Sequence, residues 1–282
     1  MLELHCHTTC SDGSLSPTEL VSAAIAAGVQ ALAITDHDTV AGWDEAMEAA
    51  ASQDLEIVPG LELSTMHNER SLHILGFYPD REKLTPTLKE RLEGRKRRAK
   101  KIANKLAALG YPIELPVIPD NMAPGRPHLA AALVEAGHAA THDEAFDRWL
   151  GDNGPAYVPY EKLSAVEGIQ RLRHCGAVPV WAHPYLFRGG TVAEVLPELI
   201  AAGLMGIEAY HPTHSPTQQQ QLIGLCRQSG LIVTGGSDYH GPAKPGFQKT
   251  TLNQLQVPLT HLEKLQDAAL QLRGFRALDD DD

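Results

Sequence analysis

Nine residues of this 282-residue chain have side chains suited to divalent metal ions: His5, His7, Asp12, His37, Glu62, His73, His183, Asp238 and His240. His5 and His7 stand two apart in a short apolar run, and successive side chains of a strand alternate faces, so both point the same way. The turn that follows can carry Asp12 back over them. Imidazole and carboxylate donors without thiolate favour Zn, Mn, Fe or Co and argue against a cysteine-type structural zinc. Nine donors exceed the needs of one ion, so two or three ions sharing a bridging carboxylate are expected. Ions held close together activate a water and neutralise charge building on a phosphoryl group, which makes hydrolysis the leading chemistry.

Taken singly, each residue has a plainer use, as a hydrogen-bonded core histidine, a turn aspartate or a helix cap. Their shared placement argues otherwise, because all but Asp12 fall within or just after an apolar run of strand type. Those runs cover 2–7, 31–35, 56–64, 71–77, 178–184, 206–211 and 231–240. Helices are expected at 17–27, 39–51, 164–175, 191–202, 216–229 and 259–272, the first opened by Ser16 as N-cap, Pro17 and Glu19 and stopped by Gly28. Such alternation predicts a mainly parallel sheet closed into a distorted TIM-like (β/α)7 barrel, whose strand ends converge on one face. An open doubly wound sheet is the competing architecture. Strand alternation turns Cys6 away from the ligands, into packing.

Between 79 and 159 the pattern changes to helices alone, at 84–109, from Pro127 to 137 and at 143–150. We expect an all-helical insertion that caps a barrel made from 1–78 and 160–278, with a disordered acidic tail at 279–282. A formal charge of −11 argues against a duplex-DNA binder, which would need Lys and Arg to neutralise phosphates. Four cysteines without a paired spacing suit a reducing compartment, and no apolar run approaches a membrane span. A cytoplasmic protein without membrane partners is expected.

The same residues carry a family resemblance. The H-x-H stretch leading to Ser11-Asp12-Gly13, Ile34 to Asp38, Gly60-Leu61-Glu62, His73, Ala182-His183-Pro184 and Ser237 to Gly241 together resemble the motif set of the PHP (polymerase and histidinol phosphatase) family. The likeness implies phosphoester hydrolysis on a two- or three-metal site, often manganese, in a distorted seven-stranded barrel. It implies that His5, His7, Glu62 and Asp238 hold one ion, Glu62, His73 and His183 a second, and Asp12, His37 and His240 a third. Within the family, Gly125-Arg126-Pro127-His128 and the spacing of the insertion look like the branch of 3′,5′-nucleoside bisphosphate phosphatases, some of which act as 5′→3′ exoribonucleases on short RNA.

Physical chemistry agrees with that branch. Arg126 offers a fork suited to phosphate, the helix opening at Pro127 offers unpaired N–H groups, and His128 can bond a phosphate oxygen. His37 belongs with these substrate-facing groups as well as with the ligands. Glu208 and His211, at the end of the sixth strand, are candidates to orient substrate or protonate a leaving ribose oxygen, His211 being better suited because its ordinary pKa lies near neutrality, and the alternative for either is a supporting or purely structural role. The run Arg91, Arg95 to Arg98, Lys100, Lys101 and Lys105 is either a solvated helix face or a guide for nucleotide and RNA backbone. The expected substrate is thus a small nucleotide bisphosphate, with short single-stranded RNA beside it. The rivals are a histidinol-phosphate phosphatase, a non-catalytic metal-stabilised module and an amidohydrolase, the last lacking an evident strand-end lysine for a carbamate bridge.

Overall fold

The computed structural model describes residues 1–115, 117, 124–159, 163–242 and 250–279. Its seven strands are β1 (Leu2–Glu3), β2 (Ala31–Ile34), β3 (Glu56–His67), β4 (Arg70–Phe77), β5 (Val178–Trp181), β6 (Gly206–Tyr210) and β7 (Ile232–Gly235), hydrogen-bonded in that order. The sheet nearly closes. Leu4 N–H donates to Gly235 O at 3.2 Å and His7 N–H to Tyr239 O at 2.8 Å, and Cys6 bridges Tyr239. The first strand is shorter than 2–7 and the last stops before 240 because this seam is irregular: a Cβ on Gly236 would stand 2.4 Å from His5 N.

Neighbouring strands run parallel except at β4, which is antiparallel to both β3 and β5. The cause is local. Asn68 and Glu69 both adopt positive φ, 46° and 63°, the conformation of a two-residue hairpin turn, so no helix separates β3 from β4. Elsewhere helices cover the barrel: α1 (Pro17–Ala26) and α2 (Trp43–Ala50) pack on β2 through Leu20, Val21, Ile34 and Trp43, and Cys6 lies buried in that cluster. Helices α6 (Ala165–His174), α7 (Val192–Ala201) and α8 (Pro216–Ser229) pack outside the other side, and α9 (Thr260–Asp279) lies against a core containing Leu4, Val58 and Val180. Asp279 ends that helix instead of starting a tail, and 280–282 lie outside the described residues, as does residue 160, where the barrel was expected to resume.

The segment after β4 is one 28-residue helix, α3 (Arg81–Ala108), followed by α4 (Arg126–Glu135) and short α5 (His142–Ala145), which continues as a π-turn through Leu150. Ile102, Leu106, Leu129, Leu133 and Trp149 form an apolar cluster of this unit's own. Among the described residues no helix is long and apolar enough to cross a membrane.

Candidate metal centre

His5 and His7 leave β1 on one face and end fully buried against Glu62 of β3 and Asp238 beyond β7. His5 Nε2 lies 3.1 Å from Glu62 Oε2 and 3.4 Å from Asp238 Oδ1; His7 Nε2 lies 3.2 and 3.1 Å from the same atoms. Glu62 is a hub. Its Oε2 also meets His37 Nδ1 at 3.2 Å, and its Oε1 meets His73 Nδ1 at 2.7 Å and His183 Nε2 at 3.0 Å. Asp12 lies next to this cluster, with His240 Nε2 at 3.4 Å, His7 Nδ1 at 3.7 Å and His37 Nε2 at 3.8 Å. The ligand atoms of His5, His7, Glu62 and Asp238 fall within 4.8 Å of one another, as do those of His37, Glu62 and His73, and those of His7, Asp12, His37 and His240. His183 joins the cluster through Glu62.

Buried polar atoms normally find hydrogen-bond partners. Here His5 Nε2, His7 Nε2, His37 Nδ1, Asp12 Oδ1 and Asp238 Oδ1 are buried without one, all facing the cluster. Imidazole nitrogens and carboxylate oxygens converging in this way suit cations. Charge agrees. Burial alone would raise Glu62 and Asp238, yet the surrounding histidines hold both carboxyls well below the usual range. Burial resists charge on His7, but the adjacent carboxylates of Asp238 and Glu62 outweigh it and lift its pKa to about 10; at His37 burial prevails and drives the pKa to about 3. A proton on His7 and a divalent ion therefore compete for the same carboxylates.

The surrounding backbone aims these groups. Asp36 accepts from Thr8 N–H and Thr8 Oγ1, both at 2.7 Å, and from Ser11 Oγ at 2.5 Å, which brings the loop bearing Asp12 back over the histidines. Gly13 is needed there, since a Cβ would lie 2.3 Å from His7 O. Asp38, His183 and Asp238 adopt φ of 52°, 32° and 51°, left-handed conformations that non-glycine residues hold only under tertiary constraint. Asp38 is buried, accepts from Ser64 N–H at 2.9 Å and pairs with Arg95 at 2.9 Å. Burial would raise its pKa, but Arg91 and Arg95 bring it below the usual value. Asp36 and Asp38 were not foreseen as supports of the site, and Arg91 and Arg95 only as members of a basic run; the sign for the aspartates was a D-H-D triplet in which they flank His37.

Three expectations are sharpened. His73 stands within its strand, in the first half of β4, and reaches the shared face because β4 is reversed and begins where the parallel strands finish. Glu208 has no access to substrate: it is fully buried, Oε1 bonding His5 Nδ1 at 2.9 Å and Oε2 accepting His183 N–H at 2.7 Å. It orients ligands. The basic run is neither only a solvated face nor only a guide, since Arg91 Nη2 donates to Ser64 O at 2.8 Å and Arg98 Nε to Val158 O at 2.7 Å, both from buried positions.

A cleft of about 600 Å³ opens over the cluster, lined by Asp12, His128, Phe146, His211, Asp238 and His240 among others. His128 Nδ1 accepts Gly125 N–H at 3.1 Å and burial lowers its pKa, so the neutral ring keeps a proton on Nε2. His211 Nδ1 is taken by Thr213, at 2.8 Å from Oγ1, and its buried Nε2 lies 3.6 Å from Asp238 Oδ2. Arg126 lies to one side, in a second pocket of about 160 Å³ with His73 and His183, where Nη1 donates to Asp152 Oδ1 at 2.7 Å.

Fold and site are those of a barrel with a histidine and carboxylate centre suited to several cations, and its relatives identify it as a metal-dependent hydrolase of phosphoester bonds. A family model described as the PHP domain matches residues 3–117. The chain is 36% identical over 247 residues to a 5′-3′ exoribonuclease of Haemophilus influenzae, covering 85% of this chain and 90% of that protein. It is 31% identical over 253 residues to a 3′,5′-nucleoside bisphosphate phosphatase of Chromobacterium violaceum, covering 87% and 89%. A crystal structure from Bifidobacterium adolescentis, described as a metal-dependent phosphoesterase, superposes with a TM-score of 0.78 at 32% identity over 95% of this chain and 96% of that one. The chain belongs to the PHP family.

Proposed function

We propose that this enzyme removes a phosphate from nucleoside 3′,5′-bisphosphates and trims short RNA from its 5′ end, using two or three divalent ions, Mn foremost, with Zn or Fe as substitutes. The observation that carries this reading is Glu62 surrounded by His5, His7, His37, His73 and His183 at the floor of a nucleotide-sized cleft beside the Arg126 to His128 segment. His5, His7, Glu62 and Asp238 would hold one ion, Glu62, His73 and His183 a second with His37 alongside, and Asp12, His37 and His240 a third with His7 alongside. When bound, the ions activate water and offset charge on the phosphoryl oxygens.

The chain's own groups bind and orient. Arg126 receives a substrate phosphate, and His128 offers its Nε2–H to a phosphate oxygen. His211, its Nδ1 occupied by Thr213, presents Nε2–H as the donor that protonates the leaving ribose oxygen. Duplex DNA is not a partner of so acidic a chain. Cys6, Cys10, Cys175 and Cys226, reduced and joined in no disulfide, support a cytoplasmic location, and the helical unit at 79–159 serves as the cap. Phosphate release by the Mn-loaded protein from nucleoside 3′,5′-bisphosphates, histidinol phosphate and 5′-phosphorylated oligoribonucleotides tests the assignment. The bisphosphates should have the highest kcat/KM; preference for histidinol phosphate would overturn it.

A further inference from the structure

The pocket beside His73 and His183 contains one cation and one carboxylate among its described lining residues, Arg126 and Asp152, and they are paired. Arg126 Nη1 donates to Asp152 Oδ1 at 2.7 Å and to Leu150 O at 3.2 Å, and the guanidinium stands 5.7 Å over the Phe146 ring and 5.7 Å over the Tyr157 ring. Both partners of Nη1 come from the turn that ends the π-helical segment. That turn is itself tied to the barrel: Arg70 Nη1, at the start of β4, donates to Asp152 O at 2.9 Å, three residues before His73. Asp152 thus joins the strand carrying His73 to the side chain of Arg126.

One edge of a guanidinium can satisfy one carboxylate while Nε and the other nitrogen remain for a second planar or tetrahedral acceptor. At about 160 Å³ the pocket is smaller than a typical ligand cavity and suits a compact anion more than a nucleoside. We propose that Asp152 is a specificity-determining positioning residue. Its carboxylate holds Arg126 in this pocket beforehand, so that the enzyme favours substrates bearing a second phosphate group over those with only the phosphate being cleaved. A side chain as long as arginine loses considerable rotamer freedom on binding, and a partner that has already fixed it lowers that cost when substrate arrives. The inference rests on the reading of Arg126 as a phosphate ligand.

The test compares steady-state kinetics of the Mn-loaded enzyme on a nucleoside 3′,5′-bisphosphate and on p-nitrophenyl phosphate, for wild type, D152A, D152N, R126A and D152A/R126A. D152A should raise KM for the bisphosphate about tenfold, the scale of one well-placed charged hydrogen bond, with kcat changed by less than about twofold, so that the preference for the bisphosphate falls by the same factor. D152N, which keeps an acceptor oxygen, should show a smaller rise of the same kind and carries the test if D152A does not fold. In the R126A background the Asp152 change should add nothing. A lower KM, an equal loss on both substrates or full additivity with R126A overturns the role of Asp152. If R126A itself leaves the bisphosphate preference intact, the assignment of Arg126 fails instead, and this inference with it.

Discussion

Replacing Glu208 with glutamine separates a ligand-orienting group from an acid–base catalyst. The carboxylate accepts on both oxygens, from His5 Nδ1–H and from His183 N–H, at 2.9 and 2.7 Å. Glutamine keeps the shape but has one acceptor oxygen and one donor amide. If the oxygen faces His183 N–H, the amide faces His5 and forces its proton to Nε2, the atom that points at Glu62 and Asp238. If the oxygen faces His5, the His183 N–H meets another donor in a fully buried place, a cost of about 1–3 kcal/mol. Either arrangement spoils one ligand. Losses of about 10–100-fold in metal affinity follow removal of such outer partners, or about 1.4–2.7 kcal/mol. Calorimetric titration of Mn²⁺ into metal-free E208Q, with metal content measured after dialysis, should show one class of sites weakened by that factor. Wild-type metal affinity combined with a collapsed kcat and an altered pH profile would refute the reasoning and return Glu208 to acid–base chemistry.

Two further substitutions probe the supports of the site. Arg95→Met leaves the buried Asp38 with the Ser64 N–H bond and, as its cation among the described residues, the more distant Arg91 at 3.7 Å, and urea unfolding should record a loss of about 3 kcal/mol; a change below about 1 kcal/mol would mean that Arg91 suffices. Gly13→Ala places a methyl 2.3 Å from His7 O, so the loop bearing Asp12 must move. Its stability should fall by about 1–3 kcal/mol, with weakened metal binding in titration, whereas a wild-type metal stoichiometry and affinity would show that the loop can yield.

Much of the histidine and carboxylate cluster was legible because its residues recur at one point of the strand and helix cycle, a pattern that survives without knowing any contact. His5 and His7 could be placed on one face by alternation alone. Asp36 and Asp38 could not, because they bond to the Thr8 to Ser11 loop and to α3, partners set by tertiary structure. The reversal of β4 was hidden for a similar reason: Asn68-Glu69 is a plain polar pair until its backbone adopts positive φ. The buried arginines were half visible, since Arg91, Arg95 and Arg98 follow a helical spacing, yet only packing shows that the stripe faces inward. Arg126 was singled out by its chemistry, while its partner Asp152 lay in a turn with no distinguishing pattern.

The reversed β4 also decides how the cap is joined to the barrel. Since β4 ends at the face opposite the metal centre, α3 must start at the base, where Asp80 N–H bonds Cys175 O, and climb. Its 28 residues make a rod of about 42 Å. The lower part serves as an ordinary barrel helix through Leu84, Arg91 and Arg95 meet the rim, and Ile102 and Leu106 belong to the cap. One continuous helix therefore passes from the barrel core to the helical unit beside the cleft. Beyond Arg98 its buried residues Ile102 and Leu106 pack on the helical unit and not on the sheet, so a bend or shift in the upper rod would move that unit without disturbing the strands around Glu62.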